Sequence, residues 1–185
     1  MAQQHRTDLK TKISRQYHNL ADSSFNHVTD NFIGTSTSHN NSTDAANVGT
    51  LTIPAGRLNT GTIIKVSSFG TCVSTNSTNT LTPVLNLTHG STTVALITGA
   101  ALDVADNDIV SAESTIHILT TGTAGTFVAA SSIITDAGST QLGAATTSTA
   151  IDTTVDLVIT LNVDWSVANA SNQYTHLSHI AQAFG

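Results

Sequence analysis

The side chains most able to do chemistry are eight histidines, the single glutamate Glu113 and the single cysteine Cys72. His176 and His179 lie three apart; on a strand such residues face opposite sides, so they could share a metal ion only on a helical turn. Since the text around them reads as strand, they are taken as surface imidazoles with a possible place in a subunit interface. His5, His18, His27 and His39 occupy a polar leader with no cysteine nearby, so a metal there would need ligands from other chains. Asp103, Asp106, Asn107 and Asp108 offer calcium-like oxygens but lack the glycine and distal glutamate of a calcium loop, and turn formation accounts for them. A hydrolytic nucleophile needs a base and an orienting group, and no Gly-x-Ser-x-Gly elbow occurs. A glycosidase would have to pair Glu113 with an aspartate that nothing in the sequence selects. Cys72 has no second cysteine for a disulfide or a zinc site. The expectation is a protein that is not an enzyme, with no catalytic residues, metal or cofactor.

The elements that would position these residues are strands. From residue 48 onward, β-branched residues come in short runs separated every 8–12 residues by Gly, Asn and Asp turns, the signature of a sandwich or barrel. The runs are 48–53, 61–74, 81–87, 92–97, 108–119, 126–135, 140–147, 154–165 and 174–181. In the longest alternating run, Val155, Leu157, Ile159, Leu161, Val163 and Trp165 share one face, while Asp156, Val158, Thr160, Asn162 and Asp164 share the other. That is the pattern of an antiparallel strand with one buried side. Thr88-His89-Gly90-Ser91 and Thr121-Gly122-Thr123-Ala124-Gly125 read as hairpin turns. The simplest architecture is all-β: a two-sheet antiparallel jelly-roll sandwich of about eight strands. A parallel β-helix is the main rival, and the absence of a fixed-length repeat argues against it.

Residues 1–47 read differently, as an N-terminal anchoring arm ahead of a 48–185 sandwich domain. Leu9, Ile13, Tyr17 and Leu20 fall at spacings of four, four and three, which aligns them on one face of a short helix. Such a helix is marginal alone and needs a surface to dock on. Beyond it, Phe25 and Phe32 are large apolar points in a polar, extended stretch, suited to fixing the arm to a partner. Arg6, Lys10, Lys12 and Arg15 against Asp8 give residues 1–15 a balance of +3, whereas the rest has Arg57 and Lys65 against eleven acids. A body so poor in cations is expected to bind neither nucleic acid nor anionic membrane. No apolar run approaches the ~18 residues of a spanning helix. Met1 to Arg15 lacks the apolar core of a signal peptide, so the expectation is synthesis in the cytoplasm with the N-terminus retained.

Charged residues are only 10% of the chain, against roughly 25% in soluble domains. Thr, Ser, Asn and Ala replace them, as at surfaces that pack against neighbouring subunits. The segment 51–66, Leu-Thr-Ile-Pro-Ala-Gly-Arg-Leu-Asn-Thr-Gly-Thr-Ile-Ile-Lys-Val, with Phe69-Gly70-Thr71-Cys72 after it, resembles the opening of jelly-roll structural proteins of tailed bacteriophages. Asp108-Ile109-Val110, Gly122 to Val128, and Asp156 to Trp165 followed by Ala168-Asn169-Ala170-Ser171-Asn172 resemble later parts of the same family. The resemblance implies a virion component: a capsid decoration or cement protein, a head fibre or a tail-fibre module. Its partners would be the major capsid protein and itself, as a homotrimer on the capsid surface of the virion. The alternative is a fibre or adhesin module that recognises a host surface glycan.

Overall fold

In a computed structural model of the chain, residues 28–74, 79–135, 140–143 and 148–185 are described, and they contain strands but no helix. The expected helix over residues 7–20 lies outside this set. The strands are β1 (Val28–Ile33), β2 (Thr35–Ser36), β3 (Ser38–Asn40), β4 (Ala46–Ile53), β5 (Ile63–Val73), β6 (Thr80–His89) and β7 (Thr92–Thr98). They continue as β8 (Leu102–Asp103), β9 (Ile109–Thr120), β10 (Gly125–Thr135), β11 (Thr140–Leu142), β12 (Thr149–Ile151), β13 (Leu157–Trp165) and β14 (Gln173–Phe184).

Two antiparallel sheets form a sandwich. The first runs β1-β14-β5-β9-β10-β11, with β3 also on β14 and β12 on β10; the second runs β2-β4-β13-β6-β7, with β8 on β6. Period-two burial explains why the sheets stack. β13 buries Leu157, Ile159, Leu161, Val163 and Trp165, β6 buries Leu81, Leu85 and Leu87, and β5 buries Ile64, Val66 and Cys72. These side chains join one hydrophobic core between the sheets, with Trp165, Tyr174 and Phe127 its largest fully buried members. Each Leu, Ile or Val withdrawn from water contributes roughly 1.5–3 kcal/mol before ordering costs. The hairpins form where the Gly turns placed them: His89 faces Thr92 across Gly90 at φ 57°, and Gly122 sits at φ 103° between β9 and β10. A side chain other than glycine is strained at such angles.

The N-terminal part of the described chain departs from expectation. Residues 28–40 are not a free arm but a seam along one edge of the sandwich. β1 pairs with the C-terminal half of β14, β2 crosses to pair with β4, and β3 returns to the N-terminal end of β14. The Gly34 amide donates to the His179 carbonyl at 2.7 Å, and the Thr37 amide to the Val48 carbonyl at 2.9 Å. The seam thereby satisfies strand edges that would otherwise be open. The boundary expected at residue 47 therefore falls inside the paired sheets. Phe32, expected to reach a partner, lies opposite Ala181 and packs against the protein's own core.

Candidate functional site

Two regions gather side chains with chemical potential, one inside the sandwich and one on its surface. The inner region is a polar island in an apolar core. His176 and His179 are buried, 4% and 1% exposed, which corrects their expected place at a subunit surface. The reason is local. Between His176 and Ser178 the β14–β5 register shifts by one residue, a bulge at Leu177 that turns both imidazoles inward and throws Leu177 into solvent. Their ring centroids are 5.7 Å apart, edge to face, with Tyr174 stacked 6.3 Å from His176.

Ser68 Oγ and His176 Nε2 are 2.9 Å apart and fully enclosed, while His179 Nε2 donates to the Ile159 carbonyl at 3.1 Å. Small residues make room for the rings. A Cβ on Gly49 would lie 2.6 Å from His176 Cε1, and one on Gly34 would lie 2.8 Å from His179 Cδ2. Burial lowers the pKa of His176 to about 4, reinforced by the neighbouring charge of His179 and opposed by the Ser178 and Val48 carbonyls. Burial lowers that of His179 too, against the favourable Ile159 carbonyl. Both rings are neutral at pH 7. Tyr174, buried among them, has its pKa raised by the same desolvation. The Ser68–His176 pair has the distance of a nucleophile and its base, but both residues are buried and, among the described residues, no carboxylate is hydrogen-bonded to the ring. It is an internal hydrogen bond in an island where, among the described residues, Tyr174 Oη and the Nδ1 atoms of both histidines are buried without a hydrogen-bond partner.

The remaining candidates resolve singly. Asp108 shapes its own turn: its carboxylate accepts from the Ala105 amide at 2.7 Å, and Asn107 adopts φ 70° while donating its amide to the Cys72 carbonyl. This is the turn role expected of the aspartate loop. Glu113 is exposed on β9, with Ser67 and Ser132 as its cross-strand neighbours. His39 is buried in β3, whereas His5, His18 and His27 lie outside the described residues. Among the described residues no three His, Cys, Asp or Glu side chains converge. Leu9, Ile13, Tyr17, Leu20 and Phe25 of the expected docking stripe also lie outside them.

The surface region is the outer face of the β1-β14-β5-β9-β10-β11 sheet. Among the described residues, every exposed large apolar side chain except Val167 belongs to strands of this sheet. Ile33 and Ile180 are register partners on β1 and β14, and one row runs from Ser178 through Phe69 and Ser111 to Ile134. Leu177 and Ile109 extend the patch. Beside it, Lys65, Ser67, Glu113, Ser132, Ile180 and Gln182 line a concavity of about 360 Å³, and Lys65 Nζ stands 5.5 Å from the Phe184 ring centroid. The other sheet's outer face carries Thr52, Thr82, Thr88, Thr160, Asn86 and Asn162, with no exposed large apolar side chain. Sequence reading missed the apolar face, although the outward positions of 63–73 and 109–120 could have shown it as alternation with Phe and Ile on the wrong side.

No protein-family model, curated protein or solved structure matches this chain.

Proposed function

We propose that the chain is a bacteriophage virion structural protein, a capsid decoration or cement protein that forms a homotrimer on the outer capsid and reinforces the lattice. The observation that carries this reading is a charge-poor sandwich with a large apolar surface on one sheet only, the profile of a subunit meant to be covered by neighbours. Strand order supports the finer architecture. β1-β14-β5-β9 facing β4-β13-β6-β7 reads as a jelly roll to which β10 and its short partners have been added beside β9. Because residues 28–40 seal the sandwich edge, the capsid-binding role falls to residues 1–27, which hold the Leu9, Ile13, Tyr17 and Leu20 stripe, Phe25 and four cations. Repeated attachment across a lattice adds avidity to a weak single contact.

Removal of residues 1–27 tests the reading, because it spares every described strand. The truncated protein should keep its unfolding transition and lose co-sedimentation with capsids that lack the decoration protein. Retained binding would move attachment to the sandwich. The concavity at Lys65 and Glu113, with its serine hydroxyls and the nearby Phe184 ring, favours the alternative of a receptor-binding module for a host glycan. Glycan binding that survives the truncation would support that alternative.

A further inference from the structure

We infer that the outer face of the β1-β14-β5-β9-β10 sheet is the surface on which a second copy of this chain seats, with Phe69, Ile180, Leu177 and Ile134 as apolar anchors around the Lys65–Glu113 centre. The inference goes beyond capsid attachment and does not rest on it, since a fibre module would use the same face.

Three observations choose a second copy as the occupant. The first is the one-sidedness of the exposed apolar residues: Phe69 is 38%, Ile180 37%, Leu177 53% and Ile134 40% exposed, all on one sheet, while the opposite sheet's outer face sets only the half-buried Val84 and Val158 among threonine, asparagine and Asp164. A solvated outer face needs none of these side chains, and edge protection does not explain them on central strands. The second is size. Four neighbouring strands of about 36 Å and the shorter β1 of about 20 Å, spaced about 4.8 Å apart, present roughly 800 Å², close to the ~800 Å² that each partner contributes to a standard stable interface.

The third is charge. Lys65 is partnered across β5 and β9 with Thr115, and Glu113 with Ser67, so a cation and an anion stand on adjacent strands near the middle of the face. Among the described residues the salt bridge joins Arg57 to Asp30 at 3.9 Å and involves neither of them. A face with one charge of each sign is complementary to itself: about a two-fold axis, Lys65 of each copy meets Glu113 of the other, so this contact pairs two copies and is additional to the contacts of the proposed trimer. A basic or acidic partner would find no such match. Small residues at Ser67, Ala130 and Ser132 leave the concavity that the anchors of the neighbouring copy fill.

The test is the mass of the full chain in solution by light scattering, with and without substitutions on this face. The wild-type protein should have a mass of at least twice 19.1 kDa. F69S with I180S should raise the dissociation constant at least about a hundredfold, as loss of two central anchors does. A Thr160→Lys change on the opposite sheet should leave the mass unchanged. If F69S/I180S does not fold, Glu113→Lys, at an exposed position, carries the test: it should weaken association, and Lys65→Glu added to it should restore association. A monomeric wild-type chain overturns the inference. So does an oligomer of unchanged mass in F69S/I180S or in E113K. Capsid co-sedimentation is read separately, so failure of self-association is distinguishable from failure of attachment.

Discussion

His176 is held neutral by the core around it, and this makes the sandwich sensitive to mild acid. Its folded pKa, about 4, lies below the ordinary 6.5, so between these values the unfolded chain binds a proton that the folded chain refuses. Its contribution to stability is complete above pH 6.5 and is lost as pH falls toward 4; His179 is shifted the same way. Urea midpoints should therefore fall between pH 7 and pH 4.5, and a His176→Gln variant should show a flatter dependence over that range. Equal slopes would mean that His176 is not the responsible group. Gly49→Ala probes the same island, because its new Cβ meets the His176 ring with little room to yield. Overpacking of this kind costs about 1–3 kcal/mol, and the unfolding midpoint should drop accordingly. The histidines were legible as residues to watch but not as a buried pair. A spacing of three implies opposite faces on a regular strand, and the one-residue bulge at Leu177 that overrides it has no signature in that stretch.

Strands with a strong apolar alternation were legible in the sequence to within a few residues at each end. The expected run 81–87 extends to β6 at Thr80–His89, and 174–181 extends to β14 at Gln173–Phe184. Trp165 closes β13 inside the core, as its place at the end of the longest alternating run implied. What escaped were β1, β2 and β3, together with β8 and β12, all six residues or fewer and held by backbone pairing to longer strands. Segments this short carry too few residues for hydrophobic periodicity to find them. The seam made by β1, β2 and β3 has a consequence for truncation. A chain beginning at residue 28 should unfold at nearly the full-length midpoint, whereas one beginning at residue 48 loses the strands covering β14 and β4 together with the Phe32 contact. It should be less stable and should aggregate through the uncovered β14 edge. Thermal melts and light scattering of both chains decide this. Fluorescence of the buried Trp165 reports the transition, and Trp165→Ala should cost about 3–5 kcal/mol.

At the scale of the whole molecule, two sheets of similar build present unlike surfaces. One is dominated by threonine and asparagine around the half-buried Val84 and Val158; the other holds isoleucine, leucine and phenylalanine in solvent about a single Lys–Glu centre. Charge depletion was legible in the composition and pointed to a subunit among subunits. The face itself was missed, because its apolar residues alternate with the core residues on the same strands and merge with them in a count; only the outward positions read by themselves show it. Under the proposed decoration role the protein would work by being attached in many copies, so its activity would be occupancy of a lattice and the strength it adds there. The most direct measurement is titration of the full chain onto capsids that lack it, following bound mass by sedimentation and capsid integrity on heating. Saturation at a fixed ratio to the major capsid protein, with a raised disruption temperature, is the predicted result. Absence of saturable binding, or capsids that fail at the same temperature when fully mixed with the protein, would contradict the decoration account.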